Sequence, residues 1–239
     1  MALLELQHVA RHFGGLRAVA DLSFSVDTGE ILGLIGPNGA GKTTVFNLIT
    51  GFLVPSGGTI HFDGKSIAGI KPHAVARRGI ARTFQIVKPF PHLSTLDNVV
   101  LAALVRNPAR AAARAEAERV LERVGLSDRL HTPAADLTYA NQKRMEIARA
   151  LATAPKLLLL DEPMGGLNAH EIDGACVLVE RIRDSGVTVV LVEHVMKAIM
   201  RISHRIVVMN QGEKIAEGRP AEIVENPAVI AAYFGKRRA

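Results

Sequence analysis

The stretch ILGLIGPNGAGKTTVFNLITGF, residues 31–52, decides how the rest of the chain is read. It opens with a short apolar run, turns through glycines, and ends with apolar residues at helical spacing, which predicts strand, loop and helix. Within it Gly36, Gly41, Lys42 and Thr43 meet the spacing G-x-x-x-x-G-K-[ST] of a phosphate-binding loop. Each residue type has a mechanical reason. The loop Gly36, Pro37, Asn38, Gly39, Ala40, Gly41 can turn its N–H groups toward phosphate oxygens, at a helix start whose dipole favours an anion. Lys42 adds a point charge to the β and γ phosphates, the Thr43 hydroxyl suits Mg²⁺, and Thr44 closes the loop. The expected ligand is a nucleoside triphosphate such as ATP.

A second apolar run, KLLLLDEP at 156–163, supplies what such a loop needs. A buried strand delivers Asp161 at its carboxyl end, where a parallel sheet binds ligands and a carboxylate can hold the water shell of Mg²⁺. The adjoining Glu162 faces the other way and is placed to polarise an attacking water as general base. VTVVLVEH at 187–194 reads as a third buried strand ending in His194, whose imidazole can hydrogen-bond the γ phosphate. Gln85, in ARTFQIVKP after a short strand, can reach the metal or the lytic water through its amide.

Working outward, LLELQHV at 3–9 and LSFSV at 22–26 alternate as half-exposed antiparallel strands, and TIHFDGKSI at 59–67 reads as strand, Asp63-Gly64 turn and strand. The segment from about 89 to 151 is different: ARAAARAEAERVLERVGL at 109–126 is strongly helix-forming with a stop at Gly125, and NQKRMEIARALATA continues helical. We read it as an inserted helical subdomain. A helix around 170–184 and a hairpin in RIVVMNQGEKIAEG at 205–218 complete the chain, with a solvated basic tail KRRA. Strands alternating with helices indicate an α/β fold with a mainly parallel sheet and an N-terminal antiparallel β subdomain, all in one domain of 239 residues.

Bulk composition narrows the setting. The formal charge of +6 makes polyanions plausible neighbours without choosing among nucleotide, nucleic acid and anionic lipid. The single cysteine, Cys176, fits packing in a reducing compartment. The opening MALLELQHVARHFGG is not built as a signal peptide, and no apolar run nears the roughly 18 residues of a membrane span. Any role at a membrane is therefore expected through partners.

The ordered set of phosphate loop, Gln85, LTYANQKRMEIARAL at 137–151, LLLLDEPMGGLN at 157–168 and His194 resembles the ATP-binding subunit of ABC transporters over essentially the whole chain. Within that family GGLRAV, TVFNLITGF, RRGIARTFQ, FPHLSTLDNV and ENPAVIAAYFG are most similar to the ATPases of branched-chain amino acid importers. The resemblance implies that Phe13 stacks on adenine with Val19 as a further nucleotide contact, and that Gln85, Thr43 and Asp161 attend Mg²⁺. It also implies that Thr138, Tyr139, Ala140 and Asn141 complete the ATP site of a second subunit, identical or paralogous. That loop departs from the family's LSGGQ, Asn168 replaces a common aspartate, and Val195 follows His194 where aspartate is usual. The departures imply a weakened contribution to the partner's site. The implied partners are membrane permease subunits, reached through a groove between the helical subdomain and the Gln85 loop, and indirectly a periplasmic solute-binding protein. The implied place is the cytoplasmic face of the inner membrane, with no nucleic acid. An exporter or lipid-extraction ATPase shares these motifs. A soluble ABC ATPase on ribosomes or DNA would need paired domains or a long coiled coil.

Overall fold

The computed structural model describes residues 2–234; the KRRA tail lies outside the described residues. The chain opens with a long hairpin, β1 (Ala2–Phe13) and β2 (Leu16–Asp27), closed by a turn at Gly14-Gly15. Both strands outrun the alternating stretches at 3–9 and 22–26. The extension comes from pairing: β1 is hydrogen-bonded antiparallel to β2 on one side and to β4 (Gly57–Phe62) on the other, so its polar outer half is held by backbone rather than by burial. Register shifts along β1, with His8 at φ 50, let the strand bend as it leaves the core. β5 (Lys65–Ser66) returns from the Asp63-Gly64 turn as expected.

Between the hairpin and β4 lie β3 (Ile31–Ile35) and α1 (Lys42–Ile49). Beyond β5 come α2 (Pro72–Arg78) and β6 (Ile80–Arg82). The sequence reading missed α2, although Pro72 at its first turn and Gly79 after its last residue are standard punctuation for a short helix. Then follow α3 (Thr95–Ala103), α4 (Arg110–Arg123) and α5 (Tyr139–Leu151), all inside the stretch read as helical. Ser94 caps α3 by accepting from Asp97 N–H, and Thr138 caps α5 by accepting from Asn141 N–H.

The second half alternates β7 (Leu157–Asp161), α6 (Ala169–Asp184), β8 (Thr188–Val192), α7 (Met196–Ile202) and the hairpin of β9 (Arg205–Asn210) and β10 (Glu213–Gly218). Two short helices, α8 (Pro220–Glu225) and α9 (Pro227–Phe234), finish the described chain. The strands join in the order β5-β4-β1-β2-β10-β9-β3-β8-β7-β6. The run β9-β3-β8-β7-β6 is parallel, and the antiparallel end joins it where Glu213 of β10 pairs with Asp21 of β2.

The parallel strands are buried on both faces, and successive residues feed two different cores. Ile31, Ile35, Leu158, Leu160, Val189 and Leu191 pack with the helical stretch and α6–α7. Leu32, Leu34, Leu157, Leu159, Val190 and Val192 pack with α1 and the N-terminal strands. This alternation delivers residues of consecutive number to opposite faces at the carboxyl edge of the sheet, where the phosphate loop, Asp161 and His194 converge.

Candidate functional site

The loop from Gly36 to Gly41 joins β3 to α1, and two of its glycines are required by contact. A Cβ on Gly36 would lie 2.1 Å from the Met209 carbonyl oxygen, and one on Gly41 would lie 2.4 Å from that of Ala18. Strands β9 and β2 thus press the loop from two sides. Lys42 folds under it, 7% exposed, donating to the carbonyls of Gly36 at 2.7 Å and Pro37 at 3.0 Å. Burial pushes the Lys42 ammonium below its usual pKa, while the carboxylates of Glu162 and Asp161 work against that shift. Asn38, Gly39 and Thr43 are exposed at the loop surface and Thr44 is half-buried. Ala40 differs from the expectation: its side chain is buried and its N–H donates to Pro37 O at 3.1 Å.

Asp161 ends β7 with a buried side chain, and its Oδ2 accepts from Arg82 of β6 at 2.8 Å. Arg82 also donates to Asn47 Oδ1 at 2.6 Å and lies between the rings of Phe46 and Phe84, 5.4 and 5.1 Å from their centroids. Nothing in a linear reading of ARTFQ singled out this arginine. Parallel pairing of β6 with β7 is what sets it beside Asp161.

Glu162 leaves the strand at once, with φ 50, a conformation that non-glycine residues rarely hold. The backbone is fixed there at both ends: Glu162 N–H donates to Val192 O at 2.8 Å, and Glu162 O accepts from Lys143 Nζ at 2.7 Å. Its carboxylate meets two of the expected partners. Gln85 Nε2 donates to Oε2 at 2.8 Å, and His194 Nε2 lies 2.9 Å from Oε1. The three residues chosen from separate motifs form one hydrogen-bonded group.

Behind His194 stands Glu193, which sequence reading passed over. It is 2% exposed, and its carboxylate accepts from the N–H groups of Met164, His194 and Val195 at 2.6, 2.7 and 3.0 Å. One buried side chain therefore sets the backbone of the histidine loop and of the loop after Glu162. The signal available was an acidic residue inside an otherwise apolar strand end.

A cavity of about 760 Å³ takes Thr43, Gln85 and Asp161 into its lining, together with Phe52, Phe84, Ile86, Arg82, Glu146 and Arg149. The three residues expected at Mg²⁺ share this space and offer hydroxyl, amide and carboxylate oxygens, the hard donors that ion takes. Among the described residues no group of three His, Cys, Asp or Glu side chains is placed to hold a metal by itself.

At the far end of the N-terminal hairpin Phe13 is 43% exposed, with the Arg11 guanidinium 4.6 Å from its ring centroid. The hairpin's Ala18 touches the phosphate loop, so Phe13 sits on the element that flanks the nucleotide site. Val19 is a correction: it is fully buried in the core with Val45 and Phe46, because its alternation on β2 turns it inward, and it presents no surface to a nucleotide. Thr138, Tyr139, Ala140 and Asn141 do not line the cavity of Thr43 and Asp161. Tyr139 is 47% exposed and packs on Gly166, where an added Cβ would lie 3.0 Å from its ring. Asn168 caps α6, accepting from Glu171 N–H while Glu171 accepts in return from Asn168 N–H.

A family model described as ABC transporter matches residues 19–165, more than half of the chain. The chain belongs to the ABC transporter family. A second model, described as branched-chain amino acid ATP-binding cassette transporter, matches residues 213–239 of this ABC ATPase. Among curated relatives, it is 42% identical over 250 residues to the high-affinity branched-chain amino acid transport ATP-binding protein BraF of Pseudomonas aeruginosa, covering 98% of each chain. It is 35% identical over 237 residues to the lipopolysaccharide export system ATP-binding protein LptB of Escherichia coli, covering 99% of this chain and 98% of that one. A solved nucleotide-free ATP-binding cassette from an ABC transporter superposes with a TM-score of 0.91 at 29% identity, covering 99% of this chain and all of the other. As an ABC ATPase the chain takes a nucleotide as its ligand. Among the described residues no helix is long and apolar enough to cross a membrane.

Proposed function

We propose that this ABC ATPase is the peripheral ATP-hydrolysing subunit of an importer for branched-chain amino acids or a similarly small polar solute, on the cytoplasmic face of the inner membrane. The observation that carries the reading is the end-to-end similarity to BraF, joined by the C-terminal match over residues 213–239. The lower identity to the lipopolysaccharide export ATPase, 35% against 42%, favours import.

The site supports a direct account of hydrolysis. Phe13 stacks on the base, and the loop amides with Lys42 hold the phosphates. Thr43, Gln85 and Asp161 would hold Mg²⁺, which neutralises charge on the β and γ phosphates when bound. Glu162 accepts a proton from water as the water attacks the γ phosphate. His194 and Gln85 each meet one of its oxygens, at 2.9 and 2.8 Å, and each oxygen keeps a further lone pair on which water can be held.

The cavity beside Gln85 is suited to a permease segment, because Phe52, Phe84 and Ile86 expose apolar surface on its lining, with the half-buried Arg149 beside them. Thr138 to Asn141 serve the ATP site of a second subunit, as the family likeness of the loop suggests. Affinity purification from membranes, followed by uptake into proteoliposomes, tests the proposal. Two permeases, a binding protein and ATP-driven leucine uptake are expected. Recovery with ribosomes, DNA or a lipid-extracting permease would overturn it.

A further inference from the structure

Helix α5, which begins at the LTYAN loop, carries three charged residues at three-residue intervals on a largely buried helix: Lys143, Glu146 and Arg149. Lys143 is 4% exposed and Glu146 is 8% exposed. Charges are not taken out of water without partners, and all three find a backbone group of another segment. Lys143 donates to Glu162 O at 2.7 Å, Glu146 accepts from Phe84 N–H at 2.9 Å, and Arg149 donates to Lys88 O at 2.9 Å. The stripe thus grips the turn that holds the hydrolytic carboxylate and both ends of the Gln85 loop. Because the grips are on backbone, they fix where those segments run.

Lys143 is the member nearest the chemistry. Its ammonium lies 5.3 Å from the ring of Tyr139, within one turn of the helix start, and the Tyr139 ring rests on Gly166 beyond Glu162. Glu162 is held at φ 50, so its carboxylate direction depends on whatever pins that strained turn. We propose that Lys143 is a positioning residue for hydrolysis: by holding Glu162 O from the first turns of α5, it makes the set of the general base depend on the position of the LTYAN loop. Engagement of that loop by the partner's nucleotide is then felt at this chain's own Glu162. The inference rests on Glu162 acting as the base.

The test compares Lys143→Met, Lys143→Arg and Glu162→Gln in the full-length chain, with ATP binding measured by calorimetry and turnover by phosphate release. Methionine keeps the length and apolar stem of lysine, and arginine keeps the donor. Since misplacement by about 1 Å costs on the order of 10²-fold, Lys143→Met is expected to lose at least about tenfold in kcat. Its KM and ATP affinity should stay within about twofold, and Lys143→Arg should recover most of the turnover. Native turnover in Lys143→Met, while Glu162→Gln is inactive, would overturn this inference alone. Equal losses in the Met and Arg variants, with ATP affinity falling in step, would also overturn it by showing a packing role. Native turnover in Glu162→Gln would remove the base assignment and the inference with it. Should Lys143→Met not fold, Lys143→Gln decides by the same outcomes.

Discussion

Arg82 and Asp161 form a buried ion pair, 2.8 Å between Nη2 and Oδ2, with side chains 6% and 5% exposed. The carboxylate expected at the metal is therefore already neutralised by an arginine on the neighbouring strand. Removing one partner leaves the other charge buried and alone. Arg82→Met should cost about 3–5 kcal/mol in urea denaturation, and pairing it with Asp161→Asn should recover much of that loss. With Asp161→Asn alone as the third variant, a double-variant loss equal to the sum of the two single losses would mean that the pair contributes no coupling.

Lys42, the cation proposed to meet the phosphates, is buried against its own loop carbonyls. Lys42→Ala removes a charge-assisted contact, so ATP affinity by calorimetry should fall on the order of 10²-fold. Unchanged affinity would refute the role given to this loop.

Glu162→Gln keeps the shape of the side chain and removes its basicity. Turnover should drop by about 10²–10⁴-fold while ATP still binds and dimer accumulates. In an assembly with a paralogous ATPase the two sites are not expected to be equal. Under the proposed pairing, the LTYAN loop of this chain, with Tyr139 packed on Gly166, would serve the sibling's nucleotide less well than glycine does. Glu162→Gln in this chain should thus cost more turnover than the matching change in the sibling; equal losses would sink that asymmetry.

Burial raises the pKa of Glu146 above the usual carboxylate range, with Asp161 adding to the rise and the Phe84 N–H, Lys143 and Arg149 opposing it. A carboxyl whose folded pKa is raised binds its proton more tightly in the native state. Its contribution to stability is full below the unfolded pKa and is lost as pH rises through the folded one. Glu146→Gln, which does not titrate, should gain stability relative to the native chain as pH climbs from the ordinary glutamate pKa through the raised value. Denaturant melts across that window measure the difference; a flat difference would show that the carboxyl stays unshifted.

Much of the site was legible because its residues sit at strand ends that the hydrophobic pattern marks without help from the rest of the fold. Lys42, Asp161, Glu162 and His194 each follow an apolar strand or glycine turn, and parallel strands bring their carboxyl ends to one edge. Gln85 was read from its place after a short strand, a weak local signal that the order of motifs reinforces. Val19 misled because period-2 alternation on a twisted, bulged hairpin decides inward from outward, and that register depends on pairing with β1. Helices α2, α7, α8 and α9 went unread because each is short and, unlike the equally short α1, has no glycine-rich motif in front of it to mark its start.

The sequence by itself determined the nucleotide loop, the alternation of buried strands and helices, and the order of motifs, all of which depend on spacing along one segment. Only the tertiary structure decided that Arg82 neutralises Asp161, that Glu193 holds the Met164 amide, and that Lys143 holds the turn of Glu162. Those relationships join residues 79, 29 and 19 positions apart. A charge finds a partner across such distances only once strand pairing and helix packing have brought the backbones together, and a linear pattern carries no trace of that.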